Sequence, residues 1–200
     1  MTNVAFGAKP AVLRCGQCGK VVDWEVSRLQ VVCGCRPHLE LPPVLVREAT
    51  PGDRERAMDL FRRDFGHKQM VAYGEAVSLD AAAGVLVAET GDNIAGALAW
   101  RPFDGALHIL ALATDPMWQR AGVGGHLVAE AERLARRQEQ PRVIVTITND
   151  NIPALYFYQR RGYRMSAILR DSVAAHSREQ PAVGFAGIPV VDELQLVKHF

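Results

Sequence analysis

Residues 107–138 have the sequence LHILALATDPMWQRAGVGGHLVAEAERLARRQ. Residues 107–113 are a short, bounded apolar run, which predicts a buried strand. A glycine-rich turn follows, and then an amphipathic helix whose apolar face contains Leu127, Ala131, Leu134 and Ala135. A strand that runs through glycines into a helix predicts an anion site. The first N–H groups of a helix lack partners and lie at the positive end of its dipole.

Two common phosphate-binding motifs do not fit this turn. The Walker motif requires a lysine after its last glycine, and none follows here. The dinucleotide fingerprint requires a third glycine, but Leu127 occupies that position. The turn does contain the pattern Gln-x-x-Gly-x-Gly, at Gln119, Gly122 and Gly124.

The Gln-x-x-Gly-x-Gly pattern resembles the acetyl-CoA signature of the GNAT acetyltransferase superfamily, and Asp115-Pro116, Trp118 and the helix strengthen the resemblance. The resemblance covers residues 44–200 and implies an α/β fold with a mixed sheet. It also implies that the pantetheine arm lies along the central strand, where one N–H polarises the thioester carbonyl, and that the pyrophosphate lies on the glycine turn. The implied donor site contains Leu112, Ala113, Thr114, Gln119, Arg120, Ala121, Gly122, Val123, Gly124 and Gly125.

A second motif, NIPALYFYQRRGY at residues 151–163, resembles the family segment Asn-x-x-Ala-x-x-x-Tyr-x-x-x-Gly-Phe/Tyr. The resemblance implies that Asn151 binds the CoA arm, although an asparagine here also suits a helix N-cap. It implies that Tyr158 is the general acid that protonates the leaving sulfur, with simple core packing as the alternative. A phenol with a pKa of about 10 is a usable proton donor to a thiolate. Tyr156 is predicted to lie on another helix face.

The general base is not identified by the sequence. Some relatives have a glutamate at the positions of Thr146 or Leu110, and neither position is acidic here. His108 is expected to share a strand face with Leu110 and Leu112, and deprotonation through water is equally compatible with the sequence. The candidate bases are His108, Glu89, Asp115 and Glu193.

The four cysteines of the chain lie within residues 15–35. Two pairs flank residues 21–32, which predict a short hairpin, and such an arrangement can hold one tetrahedral Zn²⁺. The second pair has one intervening residue where a zinc ribbon has two, so a redox cluster is the alternative, and His38 is a possible substitute ligand. The predicted zinc ligands of this zinc-ribbon-like module are Cys15, Cys18, Cys33 and Cys35.

Composition limits the possible functions. The chain has 200 residues, is 48% hydrophobic and 22% charged, and has a formal net charge of +1. Such a chain is typical of a soluble globular protein and has no global field that attracts nucleic acid or membranes. Residues 1–42 have five positive and three negative side chains, so with a tetrathiolate zinc they would be nearly neutral. We expect a cytoplasmic protein, because no signal peptide or membrane span is recognisable.

The residues 41–43, Leu-Pro-Pro, predict a boundary between a module at residues 1–42 and a main domain at residues 43–200. In the main domain, strands are predicted at 44–47, 85–90, 94–101, 143–148 and 163–169. A helix is predicted to begin at Pro51 with Thr50 as its N-cap. Residues 67–84 are assigned to no element. A closing strand at 190–199 is expected at the sheet edge, where it could pair with a second copy in a homodimer.

The resemblance and the motifs together predict an N-acetyltransferase that transfers the acetyl group of acetyl-CoA to a primary amine by direct attack. The alternative is a non-catalytic acyl-CoA-binding adaptor or sensor, which the lack of an acidic base motivates. In either case, the amino-terminal module would serve packing or recruitment of a partner protein. The sequence leaves a small amine, an antibiotic, a peptide N-terminus and a lysine open as acceptors.

Overall fold

The computed structural model describes residues 24–25, 30–31, 44–66, 69–119, 121–176 and 181–200. The chain divides into two units, Met1–Leu41 and Pro42–Phe200. In the first unit, β1 (Trp24–Glu25) and β2 (Gln30–Val31) pair antiparallel, which is the pairing that the predicted hairpin requires. The zinc module stays a prediction, because its four ligands and His38 lie outside the described residues; these ligands are Cys15, Cys18, Cys33 and Cys35.

The second unit contains the predicted strands and helices, with the ends of the strands shifted by three residues or fewer. Helix α1 begins at Pro51, with Thr50 and Asp53 forming a capping box, and Gly66 ends it with a positive φ of 72°. The elements are β3 (Leu45–Glu48), α1 (Pro51–Phe65), β4 (Gln69–Ala72), β5 (Glu75–Ser78), β6 (Gly84–Thr90), β7 (Asn93–Phe103), β8 (Ala106–Thr114), α2 (Val123–Arg137), β9 (Arg142–Thr148), α3 (Ile152–Gln159), β10 (Arg164–Leu169) and β11 (Glu193–His199).

A seven-stranded mixed sheet has the order β10-β11-β9-β8-β7-β6-β3. Only β8 and β9 are parallel, and the other neighbours are antiparallel. The expectation that the C-terminal strand is an edge strand is wrong, because β11 lies between β10 and β9. The long connection after β10 lets the chain return and bury Leu196 completely, whereas the actual edge strand β10 exposes Met165 and Ile168.

The two long helices cover opposite faces of the sheet. Alternate residues of β6 and β7 pack into two separate cores, one with α1 and one with α2, as side chains of a strand alternate between faces. The predicted apolar face of α2 is fully or almost fully buried, and Phe61 is the largest buried side chain of α1. Burial of each leucine or phenylalanine side chain in this set contributes about 1.5–3 kcal/mol, and burial of an alanine contributes less.

Gly96 lets the start of α2 lie close to the sheet. A methyl group at Gly96 would lie 2.8 Å from Val123 Cγ1 and 2.9 Å from the carbonyl oxygen of Ala113. Because real Cβ atoms do not approach other atoms this closely, only glycine fits between β7 and the first residue of α2. The glycine turn before α2 is thereby fixed against the end of β8.

Residues 69–78, for which no sequence pattern predicts an element, form a second antiparallel hairpin of β4 and β5. The two strands are joined by the turn Tyr73-Gly74, in which both residues have positive φ, 62° and 75°. The segment is difficult to assign from sequence because its strands are short and its turn lacks the usual Asn-Gly or Asp-Gly pair.

No helix among the described residues is long and apolar enough to cross a membrane. In the same part of the chain, no three His, Cys, Asp or Glu side chains are grouped so that they could hold a metal ion.

Candidate active site

Strands β8 and β9 separate after a short stretch of parallel pairing. Residues 107–109 pair with residues 143–145, but β8 continues to Thr114 and β9 to Thr148. Beyond Ile109, the two strands leave a gap in the sheet, and their facing edges have no strand partner among the described residues. Such an unpaired strand edge can hydrogen-bond an extended ligand. The predicted donor-binding residues Leu112, Ala113 and Thr114 lie on this free part of β8.

A β-bulge in β8 lies where the gap begins. The register of β8 against β7 shifts there, which leaves Leu110 as an extra residue. Leu110 and Ala111 consequently both pack on the α1 side of the sheet, whereas Leu112 packs on the α2 side. The expectation that His108, Leu110 and Leu112 share one face is therefore wrong for Leu112. A bulge bends the strand and changes the direction of its side chains, and no local sequence pattern predicts the bulge at Leu110.

The glycine turn forms the N-terminus of α2. Gly122 is the N-cap and adopts a left-handed conformation, with φ 86° and ψ −3°, which a residue without a Cβ adopts at little cost. Helix geometry leaves the N–H groups of Val123, Gly124 and Gly125 without intrahelical acceptors. Three unpaired donors at the positive end of a 15-residue helix form a site that suits a phosphate.

The other predicted residues of the turn connect it to the end of β8. Gln119 ends a short 3₁₀ turn, and the N–H of Ala121 donates to the carbonyl oxygen of Trp118 at 3.1 Å. Arg120 is outside the described residues. A methyl group at Gly124 would lie 3.7 Å from Thr114 Oγ1, so the turn adjoins the free end of β8. The gap and the helix N-terminus therefore form one continuous groove.

Arg161 is a candidate site residue that the sequence analysis did not assign. A methyl group at Gly125 would lie 2.6 Å from Arg161 Nη2, so this guanidinium covers the first turn of α2. Arg161 also donates from Nη1 to the carbonyl oxygen of Phe157 at 2.8 Å, and its Cζ is 3.7 Å from the centroid of the Phe157 ring. A positive charge held beside three free N–H groups strengthens the anion site. The i, i+4 spacing from Phe157 is the only sequence signal for this placement.

The side chains of Asn149, Asp150 and Asn151 all bind backbone groups. Asn151 Oδ1 accepts from the N–H of Ala154 at 3.1 Å, which confirms the helix cap and leaves the amide Nδ2 as a donor. Asn149 and Asp150 instead hold the connection between β10 and β11. Asn149 Oδ1 accepts from Val191 and Asp192, and Asp150 Oδ2 accepts from the N–H of Phe185 at 3.0 Å. The connection therefore lies beside the junction of β9 and α3.

Tyr158 is the buried residue of α3, with 4% of its surface exposed. Its ring packs edge-on against Phe157 and Tyr163, with centroid distances of 5.0 and 5.3 Å. Burial raises the pKa of the Tyr158 phenol well above its usual value of 10, and the positive charge of Arg161 opposes the shift. The phenol is therefore fully protonated at neutral pH. Tyr156 is more exposed, and its hydroxyl accepts from Arg160 at 2.9 Å.

Tyr73 lies at the narrow end of the gap. Its hydroxyl is 3.1 Å from the carbonyl oxygen of Ile109 and 3.2 Å from that of Ile144, one on each strand. Glu193, which is 1% exposed, accepts hydrogen bonds from the N–H groups of Tyr73 at 3.1 Å and of Gly74 at 2.8 Å. Burial raises the pKa of Tyr73, and the nearby Tyr158 adds to the shift. The candidate base Glu193 is thus engaged with the β4–β5 turn.

His108 is a buried, uncharged side chain. Its ring packs against Tyr73 and Phe103, at centroid distances of 4.3 and 5.5 Å. Burial, followed by the positive charges of Arg101 and Arg142, lowers the pKa of His108 to about 4. An imidazole with such a pKa is a weak base and lies behind Tyr73 rather than in the gap.

Glu89 and Asp115, the other two candidate bases, are bound to arginines. Glu89 accepts from Arg47, which also binds Asp53 at the start of α1. Asp115 Oδ1 accepts from the N–H of Met117 at 2.9 Å, and Oδ2 accepts from Arg63 at 3.1 Å. These contacts give both carboxylates structural roles, in an interstrand ion-pair network and a helix cap.

Residues 51–163 match the family model described as the acetyltransferase (GNAT) family. The chain is 30% identical over 142 residues to the uncharacterized protein YxbD of Bacillus subtilis (strain 168), and the match covers 70% of this chain and 88% of that protein.

Two solved structures share the fold of the second unit. An acetyltransferase from Bacillus subtilis in complex with CoA superposes with a TM-score of 0.62 at 20% identity, and covers 79% of this chain and 99% of that one. A GNAT family acetyltransferase from Elizabethkingia anophelis with acetyl-CoA bound superposes with a TM-score of 0.60 at 17% identity, and covers 78% and 98%.

Proposed function

The chain belongs to the GNAT acetyltransferase family and is an acetyl-CoA-dependent N-acetyltransferase, and from this premise we propose how its own residues carry out the transfer. The observation that carries the proposal is the groove that runs from the gap between β8 and β9 to the N-terminus of α2. Solved structures of the same fold with CoA or acetyl-CoA bound support acetyl-CoA as the donor.

The free edge of β8 would bind the pantetheine arm as an added strand, through the backbone of Leu112, Ala113 and Thr114. The amide of Asn151 would donate to a carbonyl of the same arm. At the other end, the N–H groups of the glycine turn would bind the pyrophosphate, and Arg161 would contribute its charge. The fit is supported by the unpaired donors at the turn, where the N-cap Gly122 has no Cβ that would restrict access. The glycine turn spans residues 119–125. Its described residues are Gln119, Ala121, Gly122, Val123, Gly124 and Gly125.

Tyr158 would be the general acid. It lies on the α2 side of the gap and keeps its proton, because burial raises its pKa. As the acceptor nitrogen forms its bond to the acetyl carbon and the carbon–sulfur bond breaks, Tyr158 would give its proton to the sulfur and recover one from solvent. General acid catalysis of this kind contributes about 100- to 10,000-fold in rate.

The amine would lose its proton to solvent rather than to a carboxylate of the chain. Of the four candidate bases, His108 is buried and neutral, and Glu193 binds the β4–β5 turn. The other two, Glu89 and Asp115, are paired with arginines. An alkylamine with a pKa of about 10.4 is only about 0.04% neutral at pH 7. Its deprotonation would therefore limit the rate near neutrality.

The experiment is an acceptor screen that follows free thiol released from acetyl-CoA. The panel contains one member of each open class: a small primary amine, an aminoglycoside, a peptide with a free N-terminus and a lysine peptide. With the best acceptor, Tyr158→Phe should lower kcat by about 100-fold or more, and the Kd for acetyl-CoA should stay within about twofold.

Tyr156→Phe is the matched control, because it removes a phenol two residues away whose hydroxyl contacts only Arg160. It should retain the wild-type rate. If Tyr158→Phe matched the wild type across the pH range, Tyr158 would not be the acid. Tight binding of acetyl-CoA without thiol release on any acceptor would indicate the adaptor function instead.

We also propose that Cys15, Cys18, Cys33 and Cys35 bind one structural Zn²⁺. The antiparallel pairing of β1 with β2 supports this, because it joins the segments that follow the first cysteine pair and precede the second. Metal analysis of the purified chain, before and after Cys18→Ser, tests the proposal. An unchanged zinc content would refute a role for this cysteine.

A further inference from the structure

The turn Tyr73-Gly74 has a conformation that is unfavourable for tyrosine. A two-residue loop with positive φ at both positions usually contains Asn-Gly or Asp-Gly, and a bulky side chain is strained there. Such strain persists only where the surroundings hold the residue in place. The contacts of Tyr73 are therefore informative about its role.

The hydroxyl of Tyr73 connects the two strands where they begin to separate. Its hydrogen is donated toward the carbonyl oxygens of Ile109 and Ile144, at 3.1 and 3.2 Å. A phenol whose hydrogen is engaged has only its oxygen lone pairs left for a ligand, so it accepts and does not donate. The narrow end of the gap thus presents an acceptor, which suits an N–H group.

Glu193 fixes the turn that carries this hydroxyl. Each carboxylate oxygen accepts one backbone N–H of the turn, from Tyr73 and from Gly74, and the side chain is buried in β11. Charge-assisted hydrogen bonds of this kind are about twice as strong as neutral ones. The carboxylate therefore offsets the strain of the turn and determines where the phenol lies.

Tyr73 and Tyr158 approach the gap from opposite faces of the sheet. Tyr73 packs against the core that contains α1, and Tyr158 is part of the core that contains α2. In an acyl transfer, the attacking nitrogen and the leaving sulfur occupy different sides of the reacting carbon. If Tyr158 serves the sulfur, the amine arrives on the side of Tyr73.

We propose that Tyr73 positions the acceptor amine, and that Glu193 acts through Tyr73 by holding the turn. The Tyr73 oxygen accepts one N–H of the neutral amine and directs the nitrogen lone pair at the acetyl carbon. Tyr73 keeps its own proton throughout. The amine gives one proton to solvent before it attacks and a second as the amide forms. The sulfur takes its proton from Tyr158, which then recovers one from solvent. This inference rests on the proposed N-acetyltransferase mechanism.

The test is Tyr73→Phe, measured by thiol release with the panel amine that wild type acetylates fastest. Loss of one positioning hydrogen bond should lower kcat/KM for the amine about tenfold. The Kd for acetyl-CoA should stay within about twofold, because Tyr73 packs on the α1 side of the sheet, whereas the proposed donor contacts lie on the edge of β8 and at the start of α2. Tyr156→Phe is again the matched control.

A double-mutant cycle tests the role of Glu193. In Glu193→Gln, the amide oxygen can accept from one N–H of the turn, but the amide NH2 group faces the other N–H, donor against donor. The value of kcat/KM for the amine should therefore fall about three- to tenfold. If Glu193 acts through Tyr73, the same change should cost less than about twofold in the Tyr73→Phe background. Thermal melts verify that each variant folds.

If wild type acetylates no panel amine, the proposed function fails rather than the role of Tyr73. If wild type is active and Tyr73→Phe is equally active, or if Tyr73→Phe weakens acetyl-CoA binding as much as amine use, the positioning role is overturned. Fully additive effects of the two changes would overturn the coupling of Glu193 to Tyr73. If Glu193→Gln does not fold, Tyr73→Phe alone decides the proposal.

Discussion

Replacement of Gly96 by alanine should weaken both the fold and the donor site. The new methyl group would lie 2.8 Å from Val123 Cγ1 and 2.9 Å from the carbonyl oxygen of Ala113. The carbonyl belongs to the backbone of β8 and cannot move alone, so Val123 and the start of α2 must shift. Overpacking of this kind costs about 1–3 kcal/mol. For a chain of this size, the Tm should fall by roughly 2–12 °C.

The same shift displaces the N–H groups at the start of α2. Loss of one hydrogen bond from that turn to a charged phosphate costs about 1.5–3 kcal/mol, so the Kd for acetyl-CoA should rise about tenfold or more. Differential scanning fluorimetry measures the Tm, and calorimetric titration with acetyl-CoA measures the Kd.

Gly52→Ala is the control for Gly96→Ala. Gly52 lies in the first turn of α1, where a methyl group would have its nearest neighbour, Thr50 Oγ1, at 3.9 Å. Alanine in a helix is favoured over glycine by about 0.5–1 kcal/mol, so this variant should melt higher and bind acetyl-CoA as wild type does. If Gly96→Ala melted and bound acetyl-CoA as wild type does, the close approach of α2 to β7 would not be a constraint.

Three further predictions concern protonation and metal. With a primary alkylamine, the rate of thiol release should rise about tenfold per pH unit up to the amine pKa. The rate should not fall at any pH up to about 10, because burial raises the pKa of Tyr158 and keeps the phenol protonated. A fall within this range would contradict Tyr158 as the acid. Because burial and two arginines lower the pKa of His108 to about 4, the unfolded chain binds more protons below about pH 6.5. The free energy of unfolding of wild type should therefore fall by up to about 3 kcal/mol between about pH 6.5 and pH 4, and urea titrations should find a smaller fall in His108→Leu. An equal fall in the two proteins would refute the inference that His108 is buried in its neutral form. Zinc removal by a chelator should lower the stability of residues 1–42 and leave the Kd for acetyl-CoA unchanged, whereas a large change in that Kd would contradict a purely structural zinc.

The strand, turn and helices of the proposed donor site could be predicted from sequence because their signals are local. The strand of residues 106–114, the glycine turn and the apolar face of α2 follow one another along the chain, and each has its own periodicity. Asn151 and Tyr158 lie at fixed spacing on one helix, so their shared placement also follows from local geometry.

The acceptor side was not predictable in the same way, because its contacts depend on register and on distant segments. The bulge at Leu110 exists only in the pairing of β8 with β7. The contact between Tyr73 and Glu193 joins residues 120 positions apart. The insertion of β11 between β10 and β9 likewise depends on which neighbour buries Leu196, and an apolar run alone does not specify its neighbour.

This difference also suggests how the two halves of the site are stabilised. The donor groove is formed by a strand and a helix that belong to the hydrophobic cores. On the acceptor side, Ala72 and Val77 of the β4–β5 hairpin also belong to the α1 core, but polar side chains hold its turn and the connection before β11. Glu193 binds the turn, and Asn149 and Asp150 bind the connection. Gly184 of that connection approaches Asp150 so closely that a methyl group would lie 2.0 Å from Oδ2. A change in the turn Tyr73-Gly74 or in the connection before β11 should therefore leave the core that forms the donor groove packed. If these segments bind the acceptor as proposed, acceptor specificity should be transferable with them and their three anchoring side chains.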